Sequence, residues 1–244
     1  MAKRVVLVTG ASRGIGAETA RQLGRAGAHV LVNYREKRKR AEGVVEEIRA
    51  AGGSAAAECA DLADPAAVEA LLARVGRLDG LVLNASGGME RGADPGYAMR
   101  LNRDAQVSLA TSALPLMPAG SRIVFVTSHQ AHFSRDGHPL PDDYAPVAAS
   151  KRAGEDALRS LIPVFAARGV GFTVVSGDMI DGTIIVRLLE RRDPDAVATR
   201  RAGGPLPTVE EFGAAVAEAL DAGHPDGHTV YIGGADYLSG SRQG

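Results

Sequence analysis

Hydrophobic residues along this chain fall into short blocks separated by longer amphipathic stretches. The blocks occupy residues 4–9, 29–33, 54–60, 80–84, 122–127, 171–176 and 228–232, and are punctuated by Gly, Asp or Pro. Short apolar runs that alternate with helix-like stretches predict a parallel sheet covered on both faces. Two of the intervening stretches are distinctive. Residues 97–116 read as one helix, and TVEEFGAAVAEAL from Thr208 carries a capping-box pair, Thr208 and Glu211. Seven strands with crossover helices predict an α/β fold, a doubly wound parallel seven-stranded sheet with helices on both faces. No internal repeat or low-complexity linker divides the 244 residues, so residues 1–244 are read as one domain.

The first block leads into TGASRGIG, residues 9–16, and then into Ala17, Glu18, Thr19 and Ala20, which read as helix. Glycine suits a tight strand-to-helix turn because it adopts positive φ and lets backbone approach a phosphate closely. The helix N-terminus then offers unpaired N–H groups to phosphate oxygens. Gly10, Gly14 and Gly16 give the spacing GxxxGxG rather than GxGxxG. The order strand, glycine turn, helix predicts a Rossmann-like dinucleotide site, with Ser12, Arg13 and Ile15 in the same turn. After the second strand stands Arg35, where an acidic residue would select NAD. Arg35 and Arg13 suit a 2′-phosphate, so NADPH (NADP) is favoured over NADH. Lys39 and Arg40, further on, read as the solvated face of the next helix.

Composition narrows the function. The chain is 45% hydrophobic and 4% aromatic, so its core is built mainly from Ala, Val and Leu. A net charge of −1 argues against a nucleic-acid partner. Cys59 is the only cysteine, which rules out an internal disulfide and a Cys-rich zinc site. No apolar run approaches the roughly 20 residues that span a bilayer, and no leader-type segment precedes the first strand. A cytoplasmic protein without a membrane partner is expected.

Thr9 with Gly10, and the run Gly14, Ile15, Gly16, resemble the TGxxxGIG pattern of the short-chain dehydrogenase/reductase family. The resemblance extends over almost the whole chain. It implies that Asp61 accepts from the adenine amino group while the backbone of Leu62 reads the ring. Asn84, Ala85 and Ser86 stand where the family writes NNAG, a segment passing beneath the nicotinamide, with Leu83 and Ser86 as departures. Asn102 corresponds to the family asparagine that holds a water in the proton relay; on its own chemistry a solvent-facing residue explains it equally well. Gly177 and Thr183 correspond to the segment that closes over nicotinamide and substrate, although Thr183 lies two residues late. Residues 178–206 are read as the lid, residues 239–244 as a flexible tail. A homodimer or homotetramer is implied.

Open parallel sheets place their chemistry beyond the carboxyl ends of strands. Ser128, after the fifth strand, matches the family's catalytic serine, with Thr127 as its rival by one residue of register. The family then expects YxxxK. Lys151 supplies the lysine, one of only four beside a large excess of arginine, and would grip the nicotinamide ribose and lower the pKa of a nearby hydroxyl. Val147 occupies the tyrosine's place and has no proton to give. Tyr144 is the nearest substitute, in the loop entering a helix that Pro146 starts, although packing or substrate contact accounts for it as well. His129, His132 and His138 crowd the same region, His129 being the best placed as an acid; no metal is expected, because no carboxylate or cysteine spacing supports the pair. Asp142 and Asp143 read as helix caps in a loop that shapes the substrate mouth.

These residues favour an NADPH-dependent reductase that transfers hydride to a ketone or quinone-type carbonyl of a small molecule, with a degenerate active site. The alternatives are a coenzyme-bound cyclase, dehydratase or isomerase without redox turnover, and a nucleotide-responsive regulatory protein.

Overall fold

Seven parallel strands form one sheet in the order β3-β2-β1-β4-β5-β6-β7. They are β1 (Val5–Val8), β2 (His29–Tyr34), β3 (Ser54–Cys59), β4 (Gly80–Leu83), β5 (Arg122–Ser128), β6 (Gly171–Gly177) and β7 (His228–Ile232). This computed structural model describes residues 3–89, 94, 96–134 and 144–236, the side chains of 184, 185 and 196 excepted. Strand order reverses between β1 and β4, and in such sheets the crevice for ligands opens there, beyond the carboxyl ends.

Side-chain alternation in the strands separates two cores. Val6 and Val8 of β1 face a layer of α1 (Gly14–Arg25), α2 (Arg38–Ala50) and α11 (Val209–Ala219), where Leu23, Ile48 and Phe212 are buried. Leu7 points the other way, into a cluster with Leu71 of α3 (Pro65–Val75), Leu158 of α7 (Ala145–Ser160) and Phe165 of α8 (Ile162–Ala166). Helix α11 has the expected capping box, Thr208 Oγ1 accepting from Glu211 N while Glu211 accepts from Thr208 N.

The strands fall where the apolar blocks predict, with shifts at their ends. Strand β5 runs one residue further and includes Ser128, paired with Gly177 of β6, which in turn pairs with Ile232 of β7. The stretch 97–116 is not one regular helix. It consists of α4 (Tyr97–Met99), a π-helical turn at Arg100–Asp104, α5 (Ala105–Ala113) and a final 3₁₀ turn at Leu114–Leu116. The π turn lies where α7 crosses at backbone contact: a Cβ on Gly154 would stand 2.2 Å from the carbonyl oxygen of Asn102. Residues 129–132 form the short helix α6 (His129–His132), capped by Ser128 Oγ accepting from Ala131 N at 3.3 Å.

Candidate active site

The glycine turn is shaped for close approach by an anion. Gly10 and Gly14 have φ of +60° and +56°, a region that side chains avoid. A Cβ on Gly16 would meet Asn84 Nδ2 at 2.5 Å and Gly10 O at 2.8 Å. Among the described residues no side chain caps α1 at Arg13, and its first turn carries no acidic residue, so its leading N–H groups, beside Ser12 and Ile15, are not taken by a cap. These features fit the pyrophosphate of a dinucleotide.

Two asparagines and one threonine fix this turn. Asn33, 2% exposed at the end of β2, accepts from Gly10 N through Oδ1 at 3.2 Å and from Ala11 N through its carbonyl at 2.8 Å. Its amide donates to the carbonyls of Glu58 and Ala60. Asn84 donates to Thr9 O at 2.8 Å, and Thr9 Oγ1 accepts from the backbone of Asn84 and Ala85 at 2.8 and 2.9 Å. Ser86, next along, is exposed beyond the carboxyl end of the central strand β4. At the far side Arg35 is exposed, hydrogen-bonded to Tyr97 and paired with Glu36. Asp61 closes a turn by accepting from Ala63 N at 3.0 Å, and Leu62 is buried in the core. Lys39 and Arg40 are exposed on α2, as their pattern predicts.

Asn102 does not face solvent: it is 2% exposed. Its Oδ1 accepts from Gly87 N at 3.1 Å, and its Nδ2 donates to Gly87 O and to Ser150 Oγ, both at 2.9 Å. Ser150 Oγ passes its own proton to Val147 O at 2.8 Å. The segment after β4 is thereby tied to α7.

Ser128 and Tyr144 meet. Their hydroxyl oxygens lie 2.8 Å apart, across the interval between β5 and α7. Tyr144 occupies the N-cap of α7, with Pro146 in the first turn. Burial pushes its phenol above the ordinary tyrosine range, more than the Ser128 hydrogen bond draws it down, so it keeps its proton at neutral pH. The rivalry with Thr127 resolves through alternation, since Thr127 points to the opposite face and its hydroxyl is buried without a partner among the described residues. Val147 is 3% exposed and packs in a small cluster with Tyr144, Ala131 and Ala148, against Gly88. Lys151 stands two helical turns beyond Tyr144, and helical side chains lean toward the N-terminus, that is toward Tyr144. Burial lowers its ammonium to about 8, and no ion pair or hydrogen bond engages it among the described residues.

The histidines have other work. His129, expected as the best histidine acid, is fully buried; its Nε2–H donates to Gly233 O at 3.0 Å and its Nδ1 accepts from Ser176 Oγ at 2.8 Å. Burial lowers its pKa and keeps it neutral, and with both nitrogens used it ties β5, β6 and β7 together. His132 donates from Nδ1 to the buried Glu155, and its Nε2 meets Tyr231 OH at 3.0 Å. Burial alone would raise the Glu155 carboxyl, but His132 and Arg159 outweigh it and hold it below the usual range. His138, Asp142 and Asp143 lie outside the described residues, as does the tail 239–244.

The lid region 178–206 contains α9 (Ile184–Arg192) and α10 (Pro194–Ala202). Val186, Leu189 and Val197 form its own small core. Thr183 caps α9, accepting from Val186 N while its hydroxyl donates to Ile180 O at 2.8 Å. Gly177 lies where a Cβ would stand 2.2 Å from Phe212. Arg200 of α10 is bidentate to Asp178 at the end of β6, with a shortest contact of 2.6 Å, and also grips Asp236 after β7.

The sequence matches the short chain dehydrogenase family profile over residues 4–193. The chain belongs to this family. As a short chain dehydrogenase it is an oxidoreductase, in line with the topology and the glycine turn. It is 33% identical to the 1-cyclohexenylcarbonyl-CoA reductase of Streptomyces collinus over 95% of this chain and 86% of that protein. It is 37% identical to the hydroxynaphthalene reductase arp2 of Aspergillus fumigatus over 68% of this chain and 62% of that one. Among solved structures, the angucycline C-6 ketoreductase LanV with bound NADP superposes with a TM-score of 0.80 at 29% identity, covering 95% of both chains. A short chain dehydrogenase from Burkholderia cenocepacia in complex with NADP gives 0.80 at 30% identity, over 96% of this chain and 98% of that one. No helix of this short chain dehydrogenase is long and apolar enough to cross a membrane, among the described residues.

Sequence reading alone misses three braces of this short chain dehydrogenase: Asn33, Tyr97 and Gln106. Gln106, 1% exposed, donates to Ala85 O at 2.9 Å and to Leu101 O at 3.0 Å. Asn33 had a readable signal, an amide closing an otherwise apolar strand block. Tyr97 and Gln106 had none, because their partners lie far away or belong to backbone.

Proposed function

We propose that this chain is an NADPH-dependent reductase of a small ketone or quinone, in which the Ser128–Tyr144 hydroxyl pair replaces the tyrosine of YxxxK. The 2.8 Å contact between these hydroxyls carries the reading. The NADP complexes among its structural relatives, and the reductases among its sequence relatives, support the coenzyme and the reaction class.

A dinucleotide with its pyrophosphate at the glycine turn would supply a hydride from its reduced nicotinamide. Gly10, Ser12, Arg13, Gly14, Ile15 and Gly16 would hold that pyrophosphate, Arg13 and Arg35 the 2′-phosphate, and Asp61 and Leu62 the adenine. Asn84, Ala85, Ser86, Gly177 and Thr183 would line the nicotinamide side. Ser128 hydrogen-bonds the substrate carbonyl oxygen and so stabilises negative charge developing there. Tyr144, protonated at neutral pH, gives its proton to that oxygen as the C–O bond becomes single. Lys151 is cationic below about pH 8, binds the nicotinamide ribose hydroxyls and favours the phenolate left behind. Asn102 keeps the segment after β4 against α7, and with it the water path that returns the proton.

The test follows absorbance of reduced nicotinamide while the purified chain meets panels of ketones and quinones. Oxidation of NADPH with at least one carbonyl class is expected. Tyr144→Phe is expected to lower kcat about 10²- to 10⁴-fold, the range of general acid catalysis; unchanged turnover removes Tyr144 from the mechanism. One observation favours a second reading, a coenzyme-bound cyclase, dehydratase or isomerase: the family's tyrosine position is filled by a buried valine. Tight NADPH binding with no oxidation across the panels selects that reading.

A further inference from the structure

Arg35 is usefully placed at the end of β2, but a long side chain on an exposed edge loses much rotamer freedom when it grips a ligand. Here it is not left loose. Its Nη1 donates to the hydroxyl of Tyr97, and its Cζ lies 5.7 Å from the centre of the Tyr97 ring, within cation–π range. Its Nη2 pairs with Glu36 at 2.9 Å. Tyr97 itself is anchored, since its ring packs against the buried cluster that contains Leu62 and Leu101. The contact joins the edge after β2 to the first turn of α4, 62 residues away in the chain.

We propose that Tyr97 is a positioning residue that holds Arg35 ready for the 2′-phosphate of the coenzyme, an inference that rests on the NADPH reading above. A guanidinium has five N–H donors in a fixed plane. With one spent on the Tyr97 hydroxyl and one on Glu36, the remaining donors still form a fork that a phosphate accepts bidentately. The tyrosine contact sets the orientation of that fork before the ligand arrives, which is where preorganisation adds affinity. The selectivity is then carried by a pair of residues from two elements, only one of which lies in the usual reading window after the second strand.

Calorimetric titration with adenosine 2′,5′-bisphosphate and with 5′-AMP tests this, because the two ligands differ only in the 2′-phosphate. The unmodified chain is expected to prefer the bisphosphate, and Arg35→Ala to cut that preference about tenfold or more. Tyr97→Phe, which keeps the ring and its packing, is expected to cut it about threefold while leaving 5′-AMP affinity unchanged. Tyr97→Leu is expected to cut it further. In the Arg35→Ala background either change at Tyr97 is expected to add nothing, as for residues that act as one unit. An unmodified chain without preference for the 2′-phosphate overturns the coenzyme reading and this inference together. A preference that survives both Tyr97 variants, or a loss shared equally by both ligands, overturns the inference alone.

Discussion

At the β1 end of the cleft, the glycine turn is held by amides and backbone: Asn33 grips Gly10 and Ala11, and Asn84 with Thr9 closes the other side. At the β5 end the proposed chemistry rests on side-chain tips, a serine on a strand, a tyrosine at a helix cap and a lysine two turns further along. The first end demands particular backbone conformations, which only a few residues in fixed order provide, so it keeps the family's pattern almost intact. The second demands only that a proton donor arrive at one place. In the proposed reading a hydroxyl entering from three residues before Val147 meets that demand, which leaves the pattern free to change. Fixed backbone makes a motif conservative in spacing; convergent side chains leave it open to substitution.

Breaking the second end should cost activity rather than fold. Ser128→Ala is expected to lower kcat about 10²- to 10³-fold, as loss of one donor to a developing oxyanion does, with unchanged NADPH binding by calorimetry and a melting temperature only a few degrees lower, roughly 1 kcal/mol for the α6 cap that Ser128 also supplies. Breaking the junction of the ends should cost fold first. Gly154→Ala pushes a Cβ to 2.2 Å from Asn102 O, and overpacking of this kind costs about 1–3 kcal/mol. For a chain of this size that is a drop of roughly 2–4 °C in Tm per kcal/mol, read by thermal unfolding.

Lys151 sharpens the contrast, because in the proposed reading it serves function at the expense of stability. Its folded pKa, about 8, lies below the unfolded lysine value, so the unfolded chain binds more protons between these values and stability rises with pH across that window. At neutral pH the charge is present at a cost, and Lys151→Met is expected to raise stability by about 1–3 kcal/mol while abolishing turnover. In the unmodified enzyme, turnover is expected to fall as pH climbs through about 8, where the ammonium is lost. A pH–rate profile beside urea denaturation at pH 7 and pH 9.5 checks both signs. A smaller effect is expected at the lid. Arg200→Gln removes the clasp on Asp178 and Asp236, and, on the proposed reading of residues 178–206 as a substrate lid, loss of this charged hydrogen-bond set is expected to raise substrate KM about tenfold. Smallest of all, Lys39→Ala on the exposed face of α2 is expected to change stability by less than about 0.5 kcal/mol.

Much of the fold was legible because each strand is a nearly continuous apolar block with glycine or acid at its edge, and every predicted block became a strand. The stretch 97–116 was misread as one helix, since nothing in its local pattern encodes the close crossing of Gly154 that accompanies its π turn. His129 was misread for a related reason. A histidine next to a candidate catalytic serine suggests chemistry, but its partners Ser176, in β6, and Gly233, just after β7, lie far off in the chain. Thr127 and Ser128 could be separated only once strand register gave each a face.

The amino-acid order alone therefore determined the sheet and the glycine turn after β1, because burial of apolar blocks and glycine's positive φ are properties of neighbouring residues. Which hydroxyls meet, which histidine is sealed inside and which tyrosine steadies Arg35 were decided by tertiary structure. Those are contacts between segments tens of residues apart, and no local preference of either partner specifies the other.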